Sequence, residues 1–198
     1  MLGLAIVLAG TQATARRGAE APPGAEVLTG MMLVATPEMM DPRFRETVVF
    51  MVNHNRDGAM GLIVNRVIGK MELHKLLRGF GVKRTGIKGS VRVHYGGPVE
   101  PRQGSILHSA DFLRDETVLV TRDVALTRDI NILLDIAGDK GPRKSLVTLG
   151  YSGWAGGQLE NELKRKDWYV VPADTDIIFD DRFDTKWKRA MAKRGVDL

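Results

Sequence analysis

The sequence predicts an α+β fold in which helices flank a mixed sheet, and three observations support it. Short apolar runs with strand character are mixed with segments of helical spacing without strict alternation, which favours a mixed sheet over a doubly wound parallel one. Residues 48–52 are apolar at every position, as in a strand that is buried on both faces. The chain has 198 residues, no cysteine and 43% hydrophobic residues, so one domain can bury an adequate core without disulfides.

The first part of the domain consists of strands joined by tight turns. Residues 28–36 predict a first strand, which Pro37 ends. Residues 47–53 predict a second strand, and Asp57-Gly58 is a strong signal for a tight turn. Residues 60–64 then form the returning strand of a hairpin.

The middle of the chain predicts one helix and three strands. The helix ends at Gly81 and carries four apolar side chains at helical spacing, namely Leu73, Leu76, Leu77 and Phe80. The strands are expected at 91–95, 105–108 and 117–121. The sequence Gly96-Gly97-Pro98 breaks the chain after the first of them.

The last third predicts three helices and two strands. Asp123 is expected to cap a helix that Gly138 ends, with an apolar stripe of Leu126, Ile130, Leu133 and Ala137. Strands follow at 145–149 and 168–171. Between them, Gly156-Gly157 opens a helix with Leu159 and Leu163 inward and the pairs Glu160–Lys164 and Glu162–Lys166 outward. Asp184 is expected to cap a last helix that places Trp187 and Met191 inward and ends at Gly195.

Residues 1–26 are expected to lie outside a single domain formed by residues 27–198. Pro22-Pro23-Gly24 indicates a linker. The apolar residues 2–8 and the later Ala13-Thr14-Ala15 imitate a secretory signal, but no Lys or Arg precedes the run. The alternative interpretations are a flexible extension, or an over-long gene start with Met31 or Met32 as the true first residue.

Composition excludes some kinds of chemistry. Without cysteine the chain has no disulfide, no thiolate nucleophile and no cysteine-bound metal. A net charge of +5 and a pI of about 9.6 would suit nucleic acid or acidic lipid. No aromatic residues interleave the arginines, so an ordinary solvated surface is the favoured interpretation. No apolar run is long enough to span a bilayer, and no membrane association is expected.

Two sequences resemble catalytic or phosphate-binding motifs without satisfying them. Residues 138–145 read GDKGPRKS, in which Arg143 replaces the second glycine of a phosphate loop and Pro142 removes an amide. Residues 150–154 read GYSGW, with Trp154 where a nucleophile elbow requires glycine. His54, His94 and His108 have no ligand spacing, so no metal or other cofactor is expected.

Several segments are richer in glycine and polar residues than packing requires. They are Thr36-Pro37 with Asp41-Pro42 and Phe44; residues 54–61 with Asn65; residues 96–99 with Leu107-His108; residues 150–154 and 157–160 with Trp168; and the closing WKRAMAKRGVD. In this order and spacing they resemble the bacterial AlgH/YqgE family, from about Leu28 to Asp197. The chain departs from the family at Ala155-Gly156, where glycine-proline often follows the tryptophan.

The resemblance implies a branched, strongly bent sheet that forms a partial barrel with helices packed outside. It also implies a cytoplasmic protein. The family is uncharacterised and carries a label of transcriptional regulator, taken from a link to alginate production, and no helix-turn-helix here supports that label. The resemblance supplies no catalytic residues.

The favoured functional hypothesis is a regulatory or ligand-binding protein rather than an enzyme. A small anionic ligand would approach the turn at residues 153–158, where helix amides face it. The candidate ligand-binding residues are His54, Asn55, Asn65, Gly97, His108, Trp154 and Gln158. The alternative interpretation is a plain strand-to-helix turn, with Trp154 in the core and Gln158 capping the helix.

Two other functions stay open from the sequence. A small-molecule hydrolase or proton-transfer enzyme would use Asp41, His54, Asp57 or His108. A nucleic-acid-binding protein would use the basic last helix, which carries Lys186, Lys188, Arg189, Lys193 and Arg194. The competing interpretation of that helix is a solvated face offset by nearby aspartates.

Overall fold

The computed structural model describes residues 27–195, in which ten strands form one branched sheet and five helices pack against it. The sheet is strongly curled into a half-barrel, which confirms the predicted α+β fold. The signal-like or over-long start predicted at residues 1–26 lies outside the described residues, as do residues 196–198.

The strands are β1 (Met32–Ala35), β2 (Val48–Asn55), β3 (Gly58–Ile63), β4 (Val67–Glu72), β5 (Ser90–Tyr95), β6 (Val99–Ser109), β7 (Val118–Leu119), β8 (Val124–Thr127), β9 (Ser145–Ala155) and β10 (Trp168–Val171). The helices are α1 (Leu73–Gly79), α2 (Ile132–Ala137), α3 (Gln158–Lys164), α4 (Thr175–Phe179) and α5 (Phe183–Met191). The main path of the sheet runs β10-β1-β2-β3-β9-β6-β8-β7, and β5 joins β4 to β9 as a side branch.

The branch arises because one edge of β9 pairs with two different strands. Residues 147–149 pair in parallel with β5, and residues 152–155 pair antiparallel with β3. The opposite edge of β9 pairs with β6. The sheet therefore divides at Gly150, between the two pairing segments.

Backbone segments cross at this branch so closely that side chains are excluded. Gly97 and Gly150 have φ angles of +150° and +72°, which favour glycine. A Cβ on Gly97 would lie 2.2 Å from the carbonyl carbon of Tyr151, and a Cβ on Gly150 would lie 2.4 Å from the carbonyl oxygen of Gly97. The two glycines thus allow the β5–β6 connection to pass against β9.

Both faces of the sheet are buried, because successive side chains of a strand point to opposite faces. In β1, Met32 and Val34 join the core under α4 and α5, whereas Leu33 and Ala35 join the core under α3. A third cluster packs α1 and α2 against β5, β6 and β9. The continuous apolar run predicted for residues 48–52 is the central strand β2, and this prediction is confirmed.

Helix α5 is held to the sheet by a fully buried lysine. Lys186 is 0% exposed, and its Nζ donates to the carbonyl oxygens of Val64 at 3.1 Å and Ile178 at 2.8 Å. Burial lowers the pKa of Lys186 to about 8, against the opposing influence of Asp180. An ammonium group has three hydrogens, two of which these carbonyl oxygens can accept, and Nζ also lies 5.4 Å from the centre of the Phe183 ring.

The helix predicted after Asp123 was wrong in its first half. Residues 124–127 form strand β8, which is buried throughout and pairs with β6 on one edge and β7 on the other. Leu126 and Ile130 have helical spacing, but pairing on both edges of a buried strand outweighs that local pattern. The helix is confined to α2, in which Ile132 and Leu133 are buried.

Other boundaries also differ from the prediction. Strand β9 was predicted at residues 145–149 but continues to Ala155, so it includes the first residues of the turn predicted at 153–158. Strand β4 and helix α4 had not been predicted. Helix α5 begins at Phe183 without a side-chain cap, so Asp184 lies in its first turn and does not cap it, and α5 ends at Met191 rather than near Gly195.

The glycine crossing gives a direct stability test. We expect Gly97→Ala to lower the free energy of unfolding by on the order of 4 kcal/mol or to prevent folding, because the new Cβ overlaps backbone atoms that cannot rotate away. Urea denaturation followed by circular dichroism measures this change. The matched control is Gly69→Ala in β4, where a Cβ meets nothing within 4 Å. Equal stability of the two variants would contradict the crossing.

The lowered pKa of Lys186 can be tested through the pH dependence of the unfolding free energy. Between its folded pKa of about 8 and the unfolded value of 10.5, the unfolded chain binds more protons than the folded one. The stability that Lys186 contributes therefore rises with pH across this window, by on the order of 3 kcal/mol, and is lost as pH falls through 8. We expect the unfolding free energy of wild type minus that of Lys186→Met to increase from pH 8 to pH 10. A flat difference would show that Lys186 stays charged in the folded state.

Candidate functional site

A cleft of about 860 Å³ opens between the loop that follows β1 and the face of α3. We call it the tryptophan cleft. Its walls combine apolar and charged side chains, namely Met39, Met40, Asp41, Arg43, Phe44, Pro98, Val99, Gly153, Trp154, Gln158, Glu162, Arg165, Asp167 and Trp168. This volume is within the range of small-molecule sites.

Glu162 on α3 organises this cleft. Its Oε2 accepts hydrogen bonds from the indole Nε1 atoms of Trp154 and Trp168, each at 2.8 Å. Its Oε1 accepts a bond of 3.0 Å from the side-chain amide of Gln158. One carboxylate therefore joins the end of β9, the start of β10 and the first turn of α3.

Three aromatic rings pack beside this carboxylate. Phe44 stacks on Trp154 with centroids 6.4 Å apart and contacts Trp168 edge-on at 5.5 Å. Trp154 and Trp168 meet edge-on at 6.1 Å, and both are buried. The loop that carries Phe44 is held in place by this contact, while Met40 at its tip is 82% exposed.

Two ion pairs form the charged rim. Arg43 binds Asp41 and Arg165 binds Asp167, with shortest separations of 2.6 Å and 2.7 Å. The hydrogen bond from Arg43 lowers the pKa of Asp41. The lining thus contains two arginines and three carboxylates, and Glu162 is the carboxylate left without a cation.

A second, shallower cleft of about 480 Å³ continues past Trp154. It shares Val99, Gly153 and Trp154 with the tryptophan cleft and extends to Asn55 and Arg128. Of the predicted ligand-binding residues, Asn55, Trp154 and Gln158 are therefore brought to one continuous surface.

His54 and Asn55 make hydrogen bonds that stabilise the fold. The His54 Nδ1 accepts a hydrogen bond from the amide of Leu28, and its Nε2 lies 3.0 Å from Glu160. Burial alone would raise the pKa of Glu160, but its backbone hydrogen bond and the bond from His54 lower it. Asn55 Oδ1 accepts from the amide of Asp57 and shapes the hairpin turn.

Asn65, Gly97 and His108 lie outside the lining of both clefts. Asn65 bridges the amide of Val48 and the carbonyl of Glu46. Gly97 belongs to the branch crossing. His108 is fully buried in β6, and burial lowers the pKa of its imidazole.

The predicted outward ion pairs of α3 are not those that form. Glu160 pairs with His54 instead of Lys164, and Glu162 bonds to the two indoles and Gln158 instead of Lys166. Lys166 follows the helix in a left-handed conformation with φ +63° and cannot reach the i,i+4 position. Gln158 and Glu162 are four residues apart on α3, and this spacing could have indicated their shared face. Trp154 lies in β9, so its contact with that face could not be predicted from spacing.

The hydrolase hypothesis receives little support. Asp41 lines the tryptophan cleft and Asp57 lines the shallower one, whereas His54 and His108 line neither. Within residues 27–195 no group of three histidine or carboxylate side chains could hold a metal ion. His54, His94 and His108 thus do not converge.

The basic residues of α5 and of the segment after it are partly paired within the fold. Arg189 pairs with Asp180 and Lys193 with Asp174 at distances of 2.8 Å and 2.7 Å. Arg194 covers the ring of Tyr169. Lys186 is buried, whereas Lys188 is exposed and has no ion pair within residues 27–195, so this segment offers few free charges to nucleic acid.

No helix in residues 27–195 is both long enough and apolar enough to cross a bilayer.

The chain is similar to a family of known proteins. Residues 32–198 match the profile of the family described as DUF179, AlgH-like. A UPF0301 protein of Afipia carboxidovorans is 40% identical over 183 residues, covering 88% of this chain and 87% of that protein. A UPF0301 protein of Rhodospirillum rubrum is 39% identical, covering 86% and 88%.

Solved structures share the fold. The solution structure of the AlgH protein from Pseudomonas aeruginosa matches with a TM-score of 0.74 and 35% identity, covering 91% of this chain and 94% of that one. The crystal structure of protein DIP2367 from Corynebacterium diphtheriae matches with a TM-score of 0.66 and 18% identity, over 92% and 91%. At this identity the second likeness supports the fold alone.

The role of Glu162 in the cleft can be tested by Glu162→Gln. The amide oxygen can still accept both indole hydrogens, but the new NH₂ then faces the side-chain NH₂ of Gln158 and the charge of the acceptor is lost. We therefore expect a loss of about 1–3 kcal/mol in unfolding free energy. Chemical denaturation measures the loss. Glu116→Gln, an exposed position without an ion pair among the described contacts, is the matched control. Unchanged stability of Glu162→Gln would argue against the three-bond arrangement.

Proposed function

This chain belongs to the AlgH-like family, and from that premise we propose that it is a ligand-binding regulatory protein rather than an enzyme. Its ligand presents an amine cation to Glu162 in the tryptophan cleft. The observation that carries the proposal is the bonding of Glu162, which accepts three hydrogen bonds from neutral groups. Within the described part of the chain, no lysine, arginine or histidine nitrogen lies within 4 Å of it.

Neutral donors orient a carboxylate without cancelling its charge. A carboxylate has about four lone-pair positions, and Glu162 uses three of them. An ammonium group entering the cleft can donate to the remaining position on Oε1. Such a charge-assisted bond is stronger than one between neutral groups.

The aromatic wall favours the same ligand. Cations are attracted to the faces of aromatic rings, and the effect increases where water is excluded. Phe44 is the part-buried ring of the cluster, and Met39 and Met40 flank it with adaptable apolar surface. We therefore propose a ligand with an apolar body and an amine.

The geometry favours this cation over the small anion suggested by the glycine-rich turn. The Ala155 amide is already bonded to Gln158 Oε1 at 3.1 Å, and Glu160 stands in the first turn of α3. Carboxylates also outnumber arginines in the lining. An anion would meet repulsion from Glu162.

The regulatory role and the cytoplasmic location implied by the family resemblance form part of this proposal. Direct binding of nucleic acid does not, because Arg189 and Lys193 are ion-paired and Lys186 is buried.

The test uses the three tryptophans as reporters in a two-dimensional ¹H–¹⁵N NMR titration. The probe is 3-phenylpropylamine, compared with 3-phenylpropan-1-ol and 3-phenylpropionate. We expect the amine to shift the indole signals of Trp154 and Trp168, with the alcohol and the acid binding about 10-fold more weakly or not at all. The Trp187 indole bonds to the Ala35 carbonyl and serves as the internal control.

Two results would overturn the proposal. One is an amine titration that leaves both Glu162-bound indole signals unmoved. The other is equal binding of the acid and the amine. Phe44→Leu keeps Glu162 and should weaken amine binding several-fold through loss of the aromatic face, at about 1 kcal/mol. Because Phe44→Leu keeps Glu162, it tests amine binding even if the Glu162→Gln variant folds too poorly for a titration.

A further inference from the structure

A four-residue bulge interrupts strand β6. Val99 pairs with Tyr151 and Gly104 pairs with Leu149, so four residues of β6 stand opposite the single residue Gly150. Glu100 begins the bulge with φ +46°, a conformation unusual for a side chain other than glycine. Bulges of this kind redirect side chains and are over-represented beside functional sites.

The bulge forms one wall of a cavity of about 750 Å³, which we call the bulge cavity. Phe80 at the end of α1 and Ile130 before α2 form the opposing apolar wall. A Cβ on Gly104 would lie 2.7 Å from the tip of the Phe80 ring, so the ring packs directly on the backbone of β6. With Pro101, these groups give the cavity a largely apolar lining.

The charged groups that line the bulge cavity are predominantly cationic. Arg102 and Arg128 line it, and in the described residues neither has a carboxylate oxygen within 4 Å. The guanidinium of Arg128 makes a long contact of 3.7 Å with the sulfur of Met60. Glu100 also lines the cavity, so two positive charges face one negative charge.

The side chain of Gln103 has an unsatisfied hydrogen-bond acceptor. The Oε1 atom of Gln103 is buried and has no hydrogen-bond partner among residues 27–195. A buried acceptor without a partner costs about 1–3 kcal/mol, so native structures usually satisfy it. Gln103 lines the same cavity as the two arginines.

We propose that the bulge cavity is a second small-molecule site, which binds a flat apolar acid carrying a hydrogen-bond donor. The ring of the ligand lies between Phe80 and Pro101. Its carboxylate binds Arg102 and Arg128, and its donor bonds to Gln103 Oε1 when the Gln103 side chain turns from its buried position into the cavity. This site adjoins the shallower cleft at Arg128, it shares no lining residue with the tryptophan cleft, and its charge preference is the opposite.

The probe that tests this site is indole-3-propionate, which combines a flat ring, an N–H donor and a carboxylate. A ¹H–¹⁵N NMR titration reads the Gly104 backbone amide and the Gln103 side-chain amide. We expect both signals to shift with a dissociation constant of about 1 mM or below, as suits a ligand of this size. The matching amine, 3-(indol-3-yl)propylamine, should bind at this cavity at least about 10-fold more weakly.

Two further comparisons separate the parts of the proposal. N-methylation of the indole removes the donor and should weaken binding about 5-fold. The double variant Arg102→Gln with Arg128→Gln should weaken it about 10-fold or more, while Lys83→Gln, at an exposed lysine outside the cavity lining, should not. Both arginines are exposed, so the melting temperature of the double variant should stay close to that of wild type.

Three outcomes overturn the inference. They are no shift at Gly104 and Gln103, equal binding of acid and amine there, or unchanged affinity in the double arginine variant. The indole signals of Trp154 and Trp168 report the tryptophan cleft independently. Failure at one site therefore leaves the result at the other readable.

Discussion

The fold depends on a close crossing of two backbone segments at Gly97 and Gly150. No side chain fits between them, because carbonyl groups of one segment occupy the Cβ positions of the other. This contact lets β9 pair with β5 before Gly150 and with β3 after it. Both candidate sites follow from it, since the later half of β9 carries Trp154 and the bulge of β6 arches over Gly150.

Charge placement distinguishes the two sites more than shape does. In the tryptophan cleft, arginine–aspartate pairs cancel one another and Glu162 is left among neutral donors. In the bulge cavity, two arginines remain without acidic partners within reach in the described chain. Glu162 is part-buried, and a charge of this kind that the protein does not itself neutralise interacts more strongly with a ligand than a solvated one. The same sheet can therefore favour ligands of opposite charge at two places.

Much of the fold could be predicted from the sequence where local pattern and tertiary pairing agree. The apolar run of β2, the Asp57-Gly58 hairpin and the stripe of α1 are examples. Prediction failed where pairing overrides pattern, as in β8, whose Leu126 shares helical spacing with later residues. It also failed for contacts between distant residues. Trp154 and Gln158 were predicted as site residues, but Glu162 and Lys186 were predicted to lie on exposed faces. Residue spacing does not show that Glu162 meets indole N–H groups or that Lys186 meets backbone carbonyls.

A branched sheet ends in three free edges, one more than a simple ribbon has. Each is a potential template for another molecule of the same chain, and each is blunted in a different way. Strand β7 is only two residues long and β10 only four, which leaves little ladder to extend. The longer β4 exposes Val67 and Ile68, but a register irregularity between Val67 and Gly69 and the charge of Lys70 interrupt its outer rim. Branching thus brings an added risk of self-association, and the outermost strands are built to limit it.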